Sequence, residues 1–257
     1  MVSITSLGEN IPFLNTVVIH ILHSDLTDST KARLSAFENL YKNIKIKFHK
    51  IDKTRFEKYG LMIGHISIET YFRYAVTDVL SNIDRVLYLD GDTIVNGDIS
   101  ELFDTDLTGF YCAGVRDIYI ENVGYKKDLG LDGLYINAGV ILFNLDEMRK
   151  SGISEKLFEL TAKNNFKYND QDAINVAFNG KIKELDCIYN FKRDHIKFFP
   201  EKAASAKIIH YVGPNKPWRK YSVFCLKRLY YKYEKILGLN QNPFFRLVWI
   251  IKSIITQ

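Results

Sequence analysis

Short runs of branched and aromatic residues alternate with segments of helical periodicity for about 200 residues, a pattern that restricts this chain to layered α/β architectures. Residues 15–22 read as a buried strand. Asp28 or Ser29 then caps a helix whose apolar positions are Ala32, Leu34, Phe37 and Leu40. Ile44, Ile46 and Phe48 alternate with lysines, as in a half-exposed strand. A helix begins at Ser67 and carries Tyr71, Tyr74, Ala75 and Val79, and 85–89 is the next strand. Strands follow at 110–115 and 138–143, helices at 155–163 and 171–177, and a last core strand at 207–211. The expectation is a sheet flanked by helices on both faces, with ligands beyond the carboxyl ends of its strands.

At one such end the apolar run Val86-Leu87-Tyr88-Leu89 meets two carboxylates, Asp90 and Asp92. Alternation along an extended chain sends residues i and i+2 to the same side, so both can aim at one point. Two carboxylates held that close are costly unless a cation or a shared proton relieves them. Hard oxygen ligands suit manganese or magnesium. The competing reading is an ordinary Asp-Gly turn closing a strand. A third is the strand-end Asp-x-Asp of haloacid dehalogenase-like phosphatases. That motif belongs near a chain start with a later lysine and acidic pair, and neither condition is met.

With 257 residues and 47% hydrophobic content, the chain can bury a sizeable core as one large domain, with or without an appendage. Its three cysteines, Cys112, Cys187 and Cys225, are far apart and odd in number. They match neither a disulfide framework nor a zinc spacing, and read as reduced thiols in the cytoplasm. Net charge is +5 but unevenly spread. From Lys216 onward nine basic residues face the single acid Glu234, leaving the rest of the chain at a net −3. Such a tail suits an anionic membrane surface. Nucleic acid is not expected as a partner, because no recognition motif accompanies the charge. The opening residues lack the basic start and apolar run of a signal peptide, and no stretch of about 18 uncharged apolar residues suggests a spanning helix.

Four further segments read together with Asp90-Gly91-Asp92. They are His65-Ile66-Ser67-Ile68-Glu69-Thr70-Tyr71-Phe72-Arg73, Tyr135-Ile136-Asn137-Ala138-Gly139-Val140, Tyr168-Asn169-Asp170-Gln171-Asp172 and His210-Tyr211-Val212-Gly213-Pro214-Asn215-Lys216-Pro217-Trp218. In this order and spacing the set resembles glycosyltransferase family 8, above all the bacterial lipopolysaccharide galactosyl- and glucosyltransferases. The resemblance covers residues 1–222 as the catalytic domain and implies a GT-A, Rossmann-like nucleotide-sugar transferase fold with a mixed sheet flanked by helices.

It further implies transfer of a hexose from UDP-galactose or UDP-glucose to a glycan or glycolipid acceptor, with retention of anomeric configuration. By resemblance, Asp90, Asp92 and His210 are the ligands of Mn2+ (or Mg2+), and Arg73, Asp90, Asn137, Ala138, Gly213 and Lys216 stand at donor-binding positions. Asp117, Asp170 and Gln171 fall at catalytic positions, with His65 and Tyr168 on the acceptor side. A neutral amide is a poor nucleophile, so front-face attack by the acceptor is preferred to a covalent intermediate on Gln171.

The resemblance fails at the start. Family members open with a strand and an acidic loop that hold the nucleoside, whereas residues 2–7 here already look like the following helix. A strand is expected to be missing from the sheet, leaving neighbouring edges unpaired; either the start codon is misassigned or the chain is a damaged, non-enzymatic relative. Residues 223–257 lie outside the catalytic resemblance. Their aromatic residues, Tyr230, Tyr231, Tyr233, Phe244, Phe245 and Trp249 among them, mix with basic ones as in an interfacial anchor. That places the protein in the cytoplasm, peripheral on the inner face of the bacterial inner membrane.

Overall fold

A computed structural model describes residues 1–12, 15–64, 66–219 and 226–238. His65, Cys225 and residues 239–257 lie outside the described residues. The mixed α/β architecture anticipated above is present, with eight strands in three sheets among the described residues: β1 (Val17–His23), β2 (Ile44–Lys50), β3 (Arg85–Leu89), β4 (Thr93–Val95), β5 (Cys112–Arg116), β6 (Ile136–Asn144), β7 (Ile182–Glu184) and β8 (Ile208–His210). The central ladder runs β3-β6-β5-β7. β6 is antiparallel to β3 and β5, while β5 and β7 are parallel. β1 and β2 form a parallel pair spanned by the helix Asp28–Ser35, and β4 pairs antiparallel with β8.

β6 reads as a continuous apolar run because it is covered on both faces, with eight of its nine residues buried. On one face Ile136, Ala138, Ile141 and Phe143 join a cluster with Tyr71, Phe72, Tyr74 and the helices Ile153–Lys163 and Asn169–Ala177. On the other, Val140 and Leu142 pack with Val95, Leu102 and Val115. Among the described residues β1 pairs only with β2, and β3 only with β6. Yet Val17 and Ile19 of β1 and Leu87 and Leu89 of β3 pack against the same cluster.

Several local expectations change. Thr27, not Asp28 or Ser29, caps the second helix, its hydroxyl accepting from the Thr30 amide at 3.2 Å. That helix stops at Ser35, and after Ala36 a separate turn, Phe37–Leu40, leaves Leu40 58% exposed. The segment after Ser67 is a 3-10 helix over Ile68–Ala75, followed by one α-turn, Val76–Val79. Residues 71–75 are all buried, so no exposed face marks a helical period there. Strands β4 and β7 were not anticipated, because three residues are too few to display alternation. The chain opens with a helix, Val2–Asn10, as expected.

Part of the basic tail belongs to the body. The helix Lys227–Ile236 buries Tyr233 completely against Val2, Ile94 and Phe191, and Asn10 Nδ2 donates to the Tyr233 hydroxyl at 2.8 Å. Tyr233 is thus a core residue and not an anchor, Tyr230 packs against the same cluster, and the Tyr231 hydroxyl donates to the Pro217 carbonyl at 2.9 Å; the anchor residues from Phe244 onward lie outside the described residues. No helix among them is long and apolar enough to cross a membrane.

Candidate functional site

Antiparallel pairing is what assembles the site. Because β6 runs against both β3 and β5, its first residues, Asn137 to Gly139, lie beside the carboxyl ends that carry Asp90 and Asp117. The register sets Leu89 opposite Val140 and Arg116 opposite Ile136. Asn175 clamps the helix Asn169–Ala177 to the same place, accepting from the Ile136 amide at 2.7 Å and donating to the Ile136 carbonyl at 2.9 Å. The first turn of that helix thereby faces the start of β6.

Asp90 and Asp92 converge through a tight turn and not along an extended strand. The Thr93 amide donates to the Asp90 carbonyl at 3.1 Å, and β4 then pairs Thr93 with His210. The His210 Nε2 atom lies 3.2 Å from Asp92 Oδ1 and 3.6 Å from Asp90 Oδ2. One ligand atom from each of the three residues falls within 4.8 Å of the others. Gly139 makes room for this cluster. A Cβ there would sit 1.9 Å from His210 Cε1 and 2.8 Å from Asp90 Oδ2. The remaining carboxylate oxygens are held from outside. Asp90 Oδ1 accepts from Arg73 Nη2 at 3.0 Å and from the Tyr88 hydroxyl at 2.8 Å, while Asp92 Oδ2 takes the Lys216 ammonium. Burial alone would raise the Asp92 carboxyl, but His210 and Lys216 hold it far below the usual range. Two carboxylate oxygens and an imidazole nitrogen around one point suit manganese or magnesium, so the residues present fit the metal that the sequence implied.

Beside this cluster the amide of Gln171 is locked. Its Oε1 accepts from the Ala138 amide and from Asn137 Nδ2, both at 3.0 Å, so the oxygen faces protein donors. Asn137 Nδ2 also donates to Asp117 Oδ2 at 3.1 Å. Asp117 Oδ1 lies 3.0 Å from the ammonium of Lys192, and both side chains are buried. Burial would raise the Asp117 carboxyl, but Lys192 and Asn137 outweigh it and hold it below its ordinary value.

Arg73 organises the other flank. It is 5% exposed, donates to the Thr70 and Ala138 carbonyls, lies over the Tyr88 ring at 4.2 Å and pairs with Asp170 at 3.1 Å. Asp170 also accepts from the Thr70 hydroxyl at 2.5 Å, and its burial pushes its carboxyl up against the pull of Arg73. Neither Asn169 nor Asp170 caps its helix. Asn169 instead sits in the left-handed region at φ 49° and accepts from the Met62 amide at 2.8 Å, a strained backbone of the kind found at functional sites.

Gly213 has φ 84°, a conformation few side chains allow, which turns the chain so that Lys216 reaches back to Asp92 and to the Tyr211 carbonyl. Tyr168 forms part of an aromatic group with Tyr125 and donates its backbone amide to Asp172. The structure therefore brings together Arg73, Asp90, Asp92, Asp117, Asn137, Ala138, Asp170, Gln171, His210 and Lys216. Asp117 and Asp170 lie beneath the surface, each beside a buried cation. Sequence reasoning missed Thr70, Tyr88, Asn190 and Lys192. The polar-apolar-polar step Asn190-Phe191-Lys192 was the available signal for the last two.

Comparisons with known proteins bear on the family and the fold. The model of the family "Glycosyl transferase family 8" matches residues 1–222. A putative glycosyltransferase of Haemophilus influenzae is 34% identical over 85% of this chain and 68% of its own length. The lipopolysaccharide 1,2-glucosyltransferase of Escherichia coli is 34% identical over 67% of the chain and 54% of its own length, so the chain spans about half of that relative. Among solved structures, an active-site mutant of LgtC superposes with a TM-score of 0.82 at 27% identity, covering 91% of this chain and 90% of that one. A complex of the galactosyltransferase LgtC with donor and acceptor sugar analogs gives 0.79 at 27% identity, covering 90% and 89%.

Proposed function

Because this chain belongs to glycosyl transferase family 8, we propose that it is a metal-dependent, retaining hexosyltransferase that moves a hexose from a UDP-sugar to a lipopolysaccharide or other surface-glycan acceptor. The observation that carries this reading is the convergence of Asp90, Asp92 and His210 on one point beside Gly139, with Lys216 adjacent. Asp90 Oδ2, Asp92 Oδ1 and His210 Nε2 would hold Mn2+ or Mg2+. When bound, the ion supplies positive charge to the diphosphate as the bond to the sugar breaks.

The chain's own residues do the rest. Lys216 adds an ammonium beside the departing phosphate, where it stabilises developing charge more than it stabilises the ground state. Arg73 and Asn137, backed by Asp170 and Asp117, form a floor of fixed polar groups for the hydroxyls of the hexose. Gln171 orients the sugar; its oxygen, already accepting two hydrogen bonds, is poorly placed to attack. The acceptor hydroxyl approaches the anomeric carbon from the face the phosphate leaves. The old carbon–oxygen bond breaks as the new one forms, and the hydroxyl proton passes to the departing phosphate oxygen, which preserves configuration. Tyr168, and His65 by resemblance, stand on the acceptor side. Residues 239–257 are read as an interfacial anchor on the anionic inner leaflet, next to lipid-linked acceptors.

Incubation with UDP-galactose or UDP-glucose and Mn2+, water taking the hexose in place of the acceptor, should release UDP at a rate that drops at least about 100-fold in Asp92→Asn. Equal rates for the two proteins, or no release by a folded wild-type chain with either donor, would count against the reading.

A further inference from the structure

The geometry points to Asn190 as a positioning residue for His210: it dictates which ring nitrogen carries the proton and so leaves Nε2 free for a metal. The inference rests on the metal reading above. Its starting point is two backbone amides, groups that can only donate.

The Gly139 amide donates to one atom of the Asn137 side chain at 3.1 Å, so that atom is the oxygen Oδ1. The Ala138 amide donates to Gln171 at 3.0 Å, which identifies the Gln171 atom there as its oxygen. Asn137 must then meet Gln171 and Asp117 with its Nδ2, the same orientation reached from the other side. The Asn190 atom that lies 3.0 Å from Asn137 Oδ1 is consequently a donor, Nδ2. This turns Asn190 Oδ1 toward His210 Nδ1 at 3.0 Å, and an oxygen acceptor at that place requires a proton on Nδ1. A dication in the gap between Asp90 and Asp92 would then meet the lone pair of His210 Nε2. A reversed amide at position 190 would set an NH2 group against Nδ1 and two oxygens against each other at Asn137.

Asn190 is fully buried, so water does not compete for these bonds. Its backbone is tied to β8 by a single parallel bridge. The Phe191 amide donates to the Ile208 carbonyl at 2.8 Å, and the His210 amide donates to the Phe191 carbonyl at 3.0 Å. Alternation along this bridge sends Asn190 and Lys192 to the site and Phe191 into the core with Ile94 and Tyr211. One short segment thus fixes His210 through Asn190 and Asp117 through Lys192.

The test is Mn2+ binding, read by electron paramagnetic resonance, on wild type, Asn190→Leu and Asn190→Asp. Leu keeps the volume and removes the acceptor, and Mn2+ affinity should fall about 10–100-fold. Asp restores an acceptor for Nδ1–H while losing the donor to Asn137 Oδ1, and should bind Mn2+ more tightly than Asn190→Leu but less tightly than wild type. If Asn190→Leu folds and binds Mn2+ as tightly as wild type, the inference is wrong while the metal reading stands. A folded wild-type protein that takes up no Mn2+ overturns both. Should Asn190→Leu not fold, 15N resonances of His210 in the Mg2+-bound wild type decide the matter. A proton on Nδ1 supports the assignment, and one on Nε2 overturns it.

Discussion

Lys192 shows how much of the site depends on a residue with no motif around it. Its side chain is 3% exposed, and its ammonium lies 3.0 Å from another buried group, the Asp117 carboxylate. Lys192→Met keeps the stem and removes the charge, leaving a carboxylate buried without its cation. The expected cost is on the order of 3–5 kcal/mol in urea unfolding at pH 7. The pH dependence has a definite sign. Asp117 is held below its ordinary value in the folded wild type, so the pair contributes stability above that value and loses it as pH falls through the depressed one. In the variant only Asn137 and a backbone hydrogen bond still oppose burial, so the carboxyl protonates at a higher pH. The gap between the two proteins should therefore narrow from pH 7 toward acid, and a gap that widens would contradict the pairing. Asp90 and Asp92 were legible from the apolar run that precedes them, and His210 only through the resemblance carried by the segment it opens. Asn190 and Lys192 were not, since a single polar-apolar-polar step at a one-residue bridge is too short to stand out.

At the level of elements, the long and doubly covered pieces announced themselves and the short ones did not. β6 and the helices Ile153–Lys163 and Asn169–Ala177 were found within a few residues of their ends. β4 and β7 were missed because three residues are too few to alternate, and the 3-10 form of the helix Ile68–Ala75 was not read because the burial of residues 71–75 erases its pattern. The sequence did contain Gly139, but only the fold explains it: β6 must pass His210 with no side chain between them. Gly139→Ala should push His210 and Asp90 apart, with overpacking costing about 1–3 kcal/mol. Mn2+ uptake should then fall more steeply than thermal stability does. Undiminished uptake by that variant would show that the close approach is not needed.

Over the whole molecule, charge and fold divide the labour. A body of net −3 carries the candidate site, and the basic segment from Lys216 onward begins as part of that site before its helix, Lys227–Ile236, docks on the body. The proposed anchor is therefore confined to the residues beyond that helix. Removing residues 240–257 should shift the protein from the membrane pellet to the supernatant while UDP release from the donor persists. Unchanged partitioning would refute an anchoring role. The central claim, a dication gripped by Asp90, Asp92 and His210 against a diphosphate, is met most directly by calorimetric titration of UDP into the folded chain with Mn2+ and again after chelation. The account predicts saturable binding that collapses when the metal is removed. Binding of equal strength in its absence would contradict it.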